Sequence, residues 1–371
     1  MQALHIHAGP KALAHIREHG LRPEHIGVIP GAAGGPKGLI LGPLDRFIFG
    51  EWLSQSQQPV DLVGASIGAW RMATACLNDS AHALVRLEKD YIAQHYELAP
   101  GQRKPSAHQV SQAFVENLNL FYGDRIQEVL SHPRYRLHIL TSHGKGLLHR
   151  AHALRTPLGY ACAFAANAMH RPWMGRYLER VVFSGLKGVQ KSPHPLPFSA
   201  QDYPTQQIAL TEGNFMAALQ ASCSIPFVLE AVHDISGAPR GAYWDGGITD
   251  YHLHLNWQNH TDGPTDESQR ALVLYPHFQK SVIPGWLDKT LKWRHGASSF
   301  LDHTVVLAPK PQWVQTLPQK KLPDRQDFVT YADDFPGRVR VWQSAVQASQ
   351  QLADEFAQWL EKPDLSEIQS L

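Results

Sequence analysis

Three short runs of this 371-residue chain set chemically capable side chains among small ones. The first is Gly64-Ala65-Ser66-Ile67-Gly68, a G-x-S-x-G run. A serine becomes a working nucleophile when it stands on a sharp strand-to-helix turn, where small neighbours let backbone and substrate close on its hydroxyl. Asp61-Leu62-Val63 ahead of it and Ala69-Trp70-Arg71-Met72-Ala73 behind it are the strand and helix such a turn needs. The helix N-terminus also favours negative charge that develops beside it.

The second run, Gly31-Ala32-Ala33-Gly34-Gly35-Pro36-Lys37-Gly38, has the backbone freedom to turn its N–H groups outward toward an anion. A Walker loop is excluded, because Pro36 precedes Lys37 and Gly38 follows it where Gly and Ser or Thr are required. A dinucleotide fingerprint also fails: Ala33 occupies its first glycine position, and no acidic residue closes a strand about 20 residues later. An oxyanion hole asks for less, only two or so convergent amides near a nucleophile, and Gly34 and Gly35 can supply them. The third run is Tyr243-Trp244-Asp245-Gly246-Gly247, whose glycines admit a second backbone and leave the carboxylate uncovered.

The elements around these runs alternate. Gly9-Pro10 opens a helix that Gly20 closes, and strand-like runs follow at Ile26–Pro30, Asp61–Ala65, Leu137–Thr141, Val181–Ser184, Ile208–Thr211, Ala271–Tyr275 and Thr304–Ala308. Helical faces fall between them, at Leu84, Leu87, Tyr91 and His95, and at Val110, Phe114 and Leu118. Strands alternating with helices predict an α/β fold, a three-layer α/β/α sandwich on a mostly parallel central sheet. Polar, Pro-rich stretches at 256–267 and 309–327 suggest a boundary near 256, with a core at 1–256 and a C-terminal extension, 257–371, packing on it. A closing helix carries Ala345, Ser349, Leu352, Phe356 and Trp359 on one face.

Composition narrows the class. Lys plus Arg number 34 against 33 Asp plus Glu, so a formal charge of +1 gives no overall attraction for nucleic acid, and no nucleic-acid partner is expected. Cys76, Cys162 and Cys223 are isolated and odd in number, which fits a reducing compartment. The N-terminal residues mix His, Lys and Pro, and no later run approaches the ~18 apolar residues of a membrane span, so a soluble, cytoplasmic protein is expected.

Taken in order, these motifs resemble the patatin-like phospholipase family. The loop Ala32-Ala33-Gly34-Gly35-Pro36-Lys37-Gly38 matches a D-G-G-G-x-R/K-G pattern, with Ala32 and Ala33 in place of its Asp and first Gly. Ala221-Ser222-Cys223-Ser224-Ile225-Pro226 matches A-S-x-A-x-P with Ser224 for the second Ala, and Asp245-Gly246-Gly247 matches D-G-G/A. The resemblance spans roughly residues 25 to 256.

The resemblance implies a Ser–Asp dyad in which Ser66 attacks an ester carbonyl and Asp245 serves as general base. It also implies Gly34 and Gly35 as oxyanion donors, Lys37 as an anion contact, and Gly38, Gly64, Gly68, Gly246 and Gly247 as motif glycines. The expected substrate is a lipid or other carboxylic ester, handled without metal or organic cofactor. A carboxylate is a weak base toward an alcohol, so such a dyad demands a dry pocket that raises the Asp pKa.

Three rivals compete. A Ser–His–Asp triad could take His252 or His254, both on the strand-like alternation Tyr251–Leu255. His5-Ile6-His7 and His252-Leu253-His254 are H-x-H pairs of the kind metal-dependent amidohydrolases use. A patatin-like fold could also bind lipid without turnover. Lastly, Arg171-Pro172-Trp173-Met174-Gly175-Arg176-Tyr177-Leu178 interleaves aromatic and cationic residues, which reads either as core edge with solvated arginines or as a transient contact with a membrane surface, and 156–197, between core strands, could form a lid over the site. Oligomeric state is left open.

Overall fold

Short strands enriched in Val, Ile and Leu, separated by helices, assemble into one large sheet. The computed structural model describes residues 1–98, 102, 104–188, 192–257 and 272–371. Among these, the strands in chain order are β1 (Leu4–Ala8), β2 (Ile26–Gly31), β3 (Val60–Ala65), β4 (Tyr135–Gly144) and β5 (Leu178–Ser184). The two-residue strands β6 (Leu186–Lys187) and β7 (Ser192–Pro193) form a separate hairpin. Then come β8 (Thr205–Ala209), β9 (Val232–His233), β10 (Ala242–Asp245), β11 (Leu272–Pro276), β12 (Thr304–Pro309) and β13 (Ile368–Ser370).

The sheet has eleven strands in the order β13-β1-β12-β11-β2-β3-β4-β10-β9, with β5 beside β4 and β8 beside β5. Its centre, β12 through β4, is parallel throughout. Helices flank it, which completes the three-layer α/β/α arrangement. Parallel strands covered on both faces read as continuous apolar runs, and β2, β3, β11 and β12 are buried along their whole length.

The chain after 256 lies within this sheet. β11 and β12 stand between β2 and β1, and the helix Phe335–Glu361 buries Ala345, Ser349, Leu352, Phe356 and Trp359 against the core. The stretch expected to pack on a finished core thus supplies two of its central strands; residues 258–271, including Ala271 of the expected strand, lie outside the described residues. The strand expected at Ile208–Thr211 sits earlier, because the Thr211 amide donates to Asn214 Oδ1 at 2.8 Å and opens the helix Glu212–Cys223.

One detail of register places the site. β3 runs parallel to β4 and ends with Ala65 opposite Leu140. β10 runs antiparallel to β4 and ends with Asp245 opposite Thr141. β5 covers His138–Gly144 on the other edge of β4, so β3 and β10 share one edge and meet there, C-terminus to C-terminus.

Candidate active site

Ser66 follows β3 at φ 57° and ψ −132°, the strained geometry of a strand-to-helix elbow, and caps the helix Ile67–Ala75. The surroundings fix it there. Its amide donates to Ser222 Oγ at 3.0 Å, and Ser222 Oγ donates to the Leu140 carbonyl at 2.7 Å. A Cβ on Gly68 would fall on the Gly31 carbonyl, and one on Gly64 on the Ala69 backbone, so both glycines permit the strand–helix contact that sharpens the turn. Farther along the helix, buried Arg71 grips buried Asp45 through two 2.7 Å bonds.

Asp245 arrives from the opposite direction. Ser66 Oγ donates to Asp245 Oδ2 at 2.7 Å across 179 residues of chain. The other oxygen, Oδ1, accepts from the Gly247 amide at 2.7 Å, while the Asp245 carbonyl accepts from Ser142 Oγ at 2.9 Å. Gly246 presses on the Leu140 carbonyl where a side chain would not fit. Both dyad side chains are buried, at 4% and 5% exposure. Burial pushes the Asp245 carboxyl above its ordinary value; the Ser66 hydroxyl, the Arg325 charge, the Gly247 amide and Lys289 act against that rise without cancelling it.

The glycine loop lies alongside. Gly35 begins a 3₁₀ helix, Gly35–Leu41, with φ +57°, and its amide is among the donors a helix cannot satisfy internally. Gly34 abuts the Phe278 ring and Gly38 packs on Ile67, the residue after the nucleophile. The Ala33 amide is bound to the Tyr251 carbonyl at 2.9 Å, which ties the loop to the turn after Asp245.

Two cavities flank the dyad. One, of about 400 Å³, is largely apolar and includes Gly35, Ser66, Trp70, Phe114, Leu229 and Phe328 in its wall. The other, of about 300 Å³, is lined by Gly34, Lys37, Asp245, Tyr251, Lys289 and Arg325, among others. Ile225, from the A-S-C-S-I-P segment, and Arg325 belong to both walls.

Lys289 and Arg325 escape sequence reasoning. Arg325 lies in the polar, Pro-rich stretch read as loop, and neither residue belongs to a motif.

Several expectations are corrected. Tyr251–Leu255 is a turn with Leu253 at φ 48°, not a strand. Nδ1 of the buried His252 ring meets the Ser281 carbonyl and the Ile283 amide, His254 meets Ser298 Oγ at 2.9 Å, and neither residue lines a dyad cavity. Asp245 reaches Ser66 directly, with no imidazole between them. His5 and His7 lie on β1, and no metal-competent group of three or more His, Cys, Asp or Glu occurs among the described residues.

The 156–197 segment contains β5, a fully buried strand, so it cannot move as one lid; residues 189–191 lie outside the described residues. Within the interleaved stretch Trp173 is exposed, but Met174 is fully buried and Arg171 is held by Asp288 at 3.1 Å. No helix among the described residues is long and apolar enough to cross a membrane.

No protein-family model matches the chain, and no curated protein matches it. VipD from Legionella pneumophila is similar in structure at a TM-score of 0.35 and 13% sequence identity, over 90% of this chain and 67% of that one.

Proposed function

We propose that the chain is a serine acyl hydrolase that cleaves carboxylic esters, with lipid acyl esters as the substrate class. The observation that carries this reading is the 2.7 Å hydrogen bond from Ser66 Oγ to a buried, desolvated Asp245 carboxylate. Ser66 Oγ attacks the ester carbonyl as its proton passes to Asp245 Oδ2, and the carbonyl oxygen becomes an oxyanion. The Gly34 and Gly35 amides, in the loop that lines the two cavities beside the dyad, are assigned to hold that charge. Collapse of the tetrahedral intermediate expels the alkoxide, which takes the proton back from Asp245, and leaves acyl-Ser66. Water then gives its proton to Asp245 as it attacks the acyl carbon, and the second tetrahedral intermediate expels Ser66 Oγ, which takes that proton back from Asp245 and releases the acid.

Desolvation supports both halves of this cycle. A carboxyl raised above its ordinary value is a stronger base toward the serine and remains able to return the proton. The apolar cavity at Ser66 suits an acyl chain. No step calls for a metal or organic cofactor.

A fluorophosphonate probe, together with para-nitrophenyl esters of graded chain length, tests the reading. Wild type is expected to label and turn over; Ser66→Ala is expected to do neither. Turnover that survives Ser66→Ala would rule it out.

A further inference from the structure

The two cavities differ in polarity, and each takes one member of the dyad. Ser66 lines the apolar cavity, whereas Asp245 lines the other. In an ester cleavage the group that protonates the departing alkoxide must face the leaving alcohol, so the cavity of Asp245 is the leaving-group side.

Three cations meet on that side from three separate parts of the chain: Lys37 from the glycine loop, Lys289 and Arg325 from the C-terminal third. Lys37 is half-buried, and Lys289 and Arg325 are more exposed. Among the described residues none of the three forms an ion pair. Of the wall's two acids, Asp324 is taken by Lys321 at 2.8 Å, and Asp245 is engaged by the Ser66 hydroxyl and the Gly247 amide, each at 2.7 Å. Partial burial, then the charges of Arg325 and Lys37, push the Lys289 ammonium down to about 8, against the opposing pull of Asp245, so the neighbouring cations outweigh the acid at this position.

The groups that would suit a positively charged head group are also in use. Lys289 Nζ lies over the Tyr251 ring at 4.0 Å and near Trp286 at 5.8 Å, which fills the aromatic faces a quaternary ammonium would need.

We infer that this cavity is a leaving-group subsite for an alcohol ending in a compact dianion, a phosphate monoester, held by Lys37, Lys289 and Arg325, and not for a neutral or zwitterionic alcohol. The inference rests on the hydrolase reading for the word "leaving" and on the cation cluster alone for the anion. Arg and Lys together give the site both a planar fork and mobile point charges for phosphate oxygens.

The test compares single-chain octanoyl esters of glycerol 3-phosphate, of glycerol and of glycerophosphocholine at pH 7, where the phosphate monoester is mostly a dianion and Lys289 is mostly protonated. Wild type is expected to favour the phosphate monoester in kcat/KM by at least about tenfold, and Lys289→Gln with Arg325→Gln is expected to collapse that ratio by about tenfold, mainly through KM. A wild-type preference for either other ester, or a ratio indifferent to the double substitution, overturns the assignment.

A second arm titrates glycerol 3-phosphate, inorganic phosphate and glycerol into the Ser66→Ala protein by calorimetry. Glycerol 3-phosphate is expected to bind more tightly than inorganic phosphate and to lose affinity about tenfold in the double variant; inorganic phosphate binding equally well overturns the leaving-group role. Binding that persists in a protein inert toward every ester sinks the hydrolase reading and spares the anion site. Hydrolysis of the neutral ester without any such binding sinks the subsite alone.

Discussion

Ser66 is held from behind by Ser222: the Ser66 amide donates to the Ser222 hydroxyl, which donates onward to the Leu140 carbonyl at the point where β3 and β10 meet. Ser222 is fully buried, so its removal strands a donor and an acceptor with no water at hand. Ser222→Ala should cost about 1–3 kcal/mol of stability. It should also lower kcat about 10- to 100-fold by loosening the elbow, since misplacement of about 1 Å can cost 10²-fold. Urea unfolding and turnover of a soluble ester measure the two effects; unchanged kcat would reduce Ser222 to a packing residue.

Asp245→Asn separates catalysis from stability. The amide keeps the shape but loses the base, so turnover should drop about 10²- to 10⁴-fold. Stability should move the other way. A carboxyl raised in the folded state binds protons more readily there than in the unfolded chain, so stability falls as pH climbs from the ordinary Asp value through the raised one, and that deficit persists at pH 7. Asn removes it. Thermal melts at pH 7 should show Asp245→Asn above wild type, and activity in wild type should fade with acidification at a pH above the ordinary carboxylate range.

Gly35→Ala tests the loop. With φ at +57° an added Cβ is strained, and it would sit 3.2 Å from Arg325 Nε, so the amide must turn away from its present direction. If that amide serves the oxyanion, kcat should fall about 10²- to 10³-fold with KM little altered. A rise in KM with kcat intact would assign the loop to ground-state binding.

Acid should unfold the protein early. Burial pushes His7, His15, His132 and His254 down to about 4 and His277 to about 3, whereas the same residues in an unfolded chain titrate near 6.5. Between those limits the unfolded state binds more protons, so stability falls as pH drops from 6.5 toward 4, by up to about 1.4 kcal/mol per pH unit for each histidine still neutral in the fold. Denaturant midpoints at pH 7, 6 and 5 should decline steeply, and His277→Phe should flatten the decline; a level profile would mean that these rings gain protons without unfolding.

How much was legible in the sequence depended on how local each cause was. The elbow, the glycine loop and the Asp-Gly-Gly turn were readable because each needs small residues at fixed neighbouring positions, and the alternation of apolar runs with helical faces carried the α/β class. Local pattern could not say that β3 and β10 share one edge of β4, which brings two side chains 179 residues apart to 2.7 Å. It misjudged 251–255, where an apolar alternation became a turn, and it placed a boundary at 256 although two central strands lie beyond it. Lys289 and Arg325 carried no signal at all. Periodicity reports which way a residue faces within its own element, whereas strand order and the convergence of distant charges come from packing energies summed over the whole chain, and only the tertiary structure decides them.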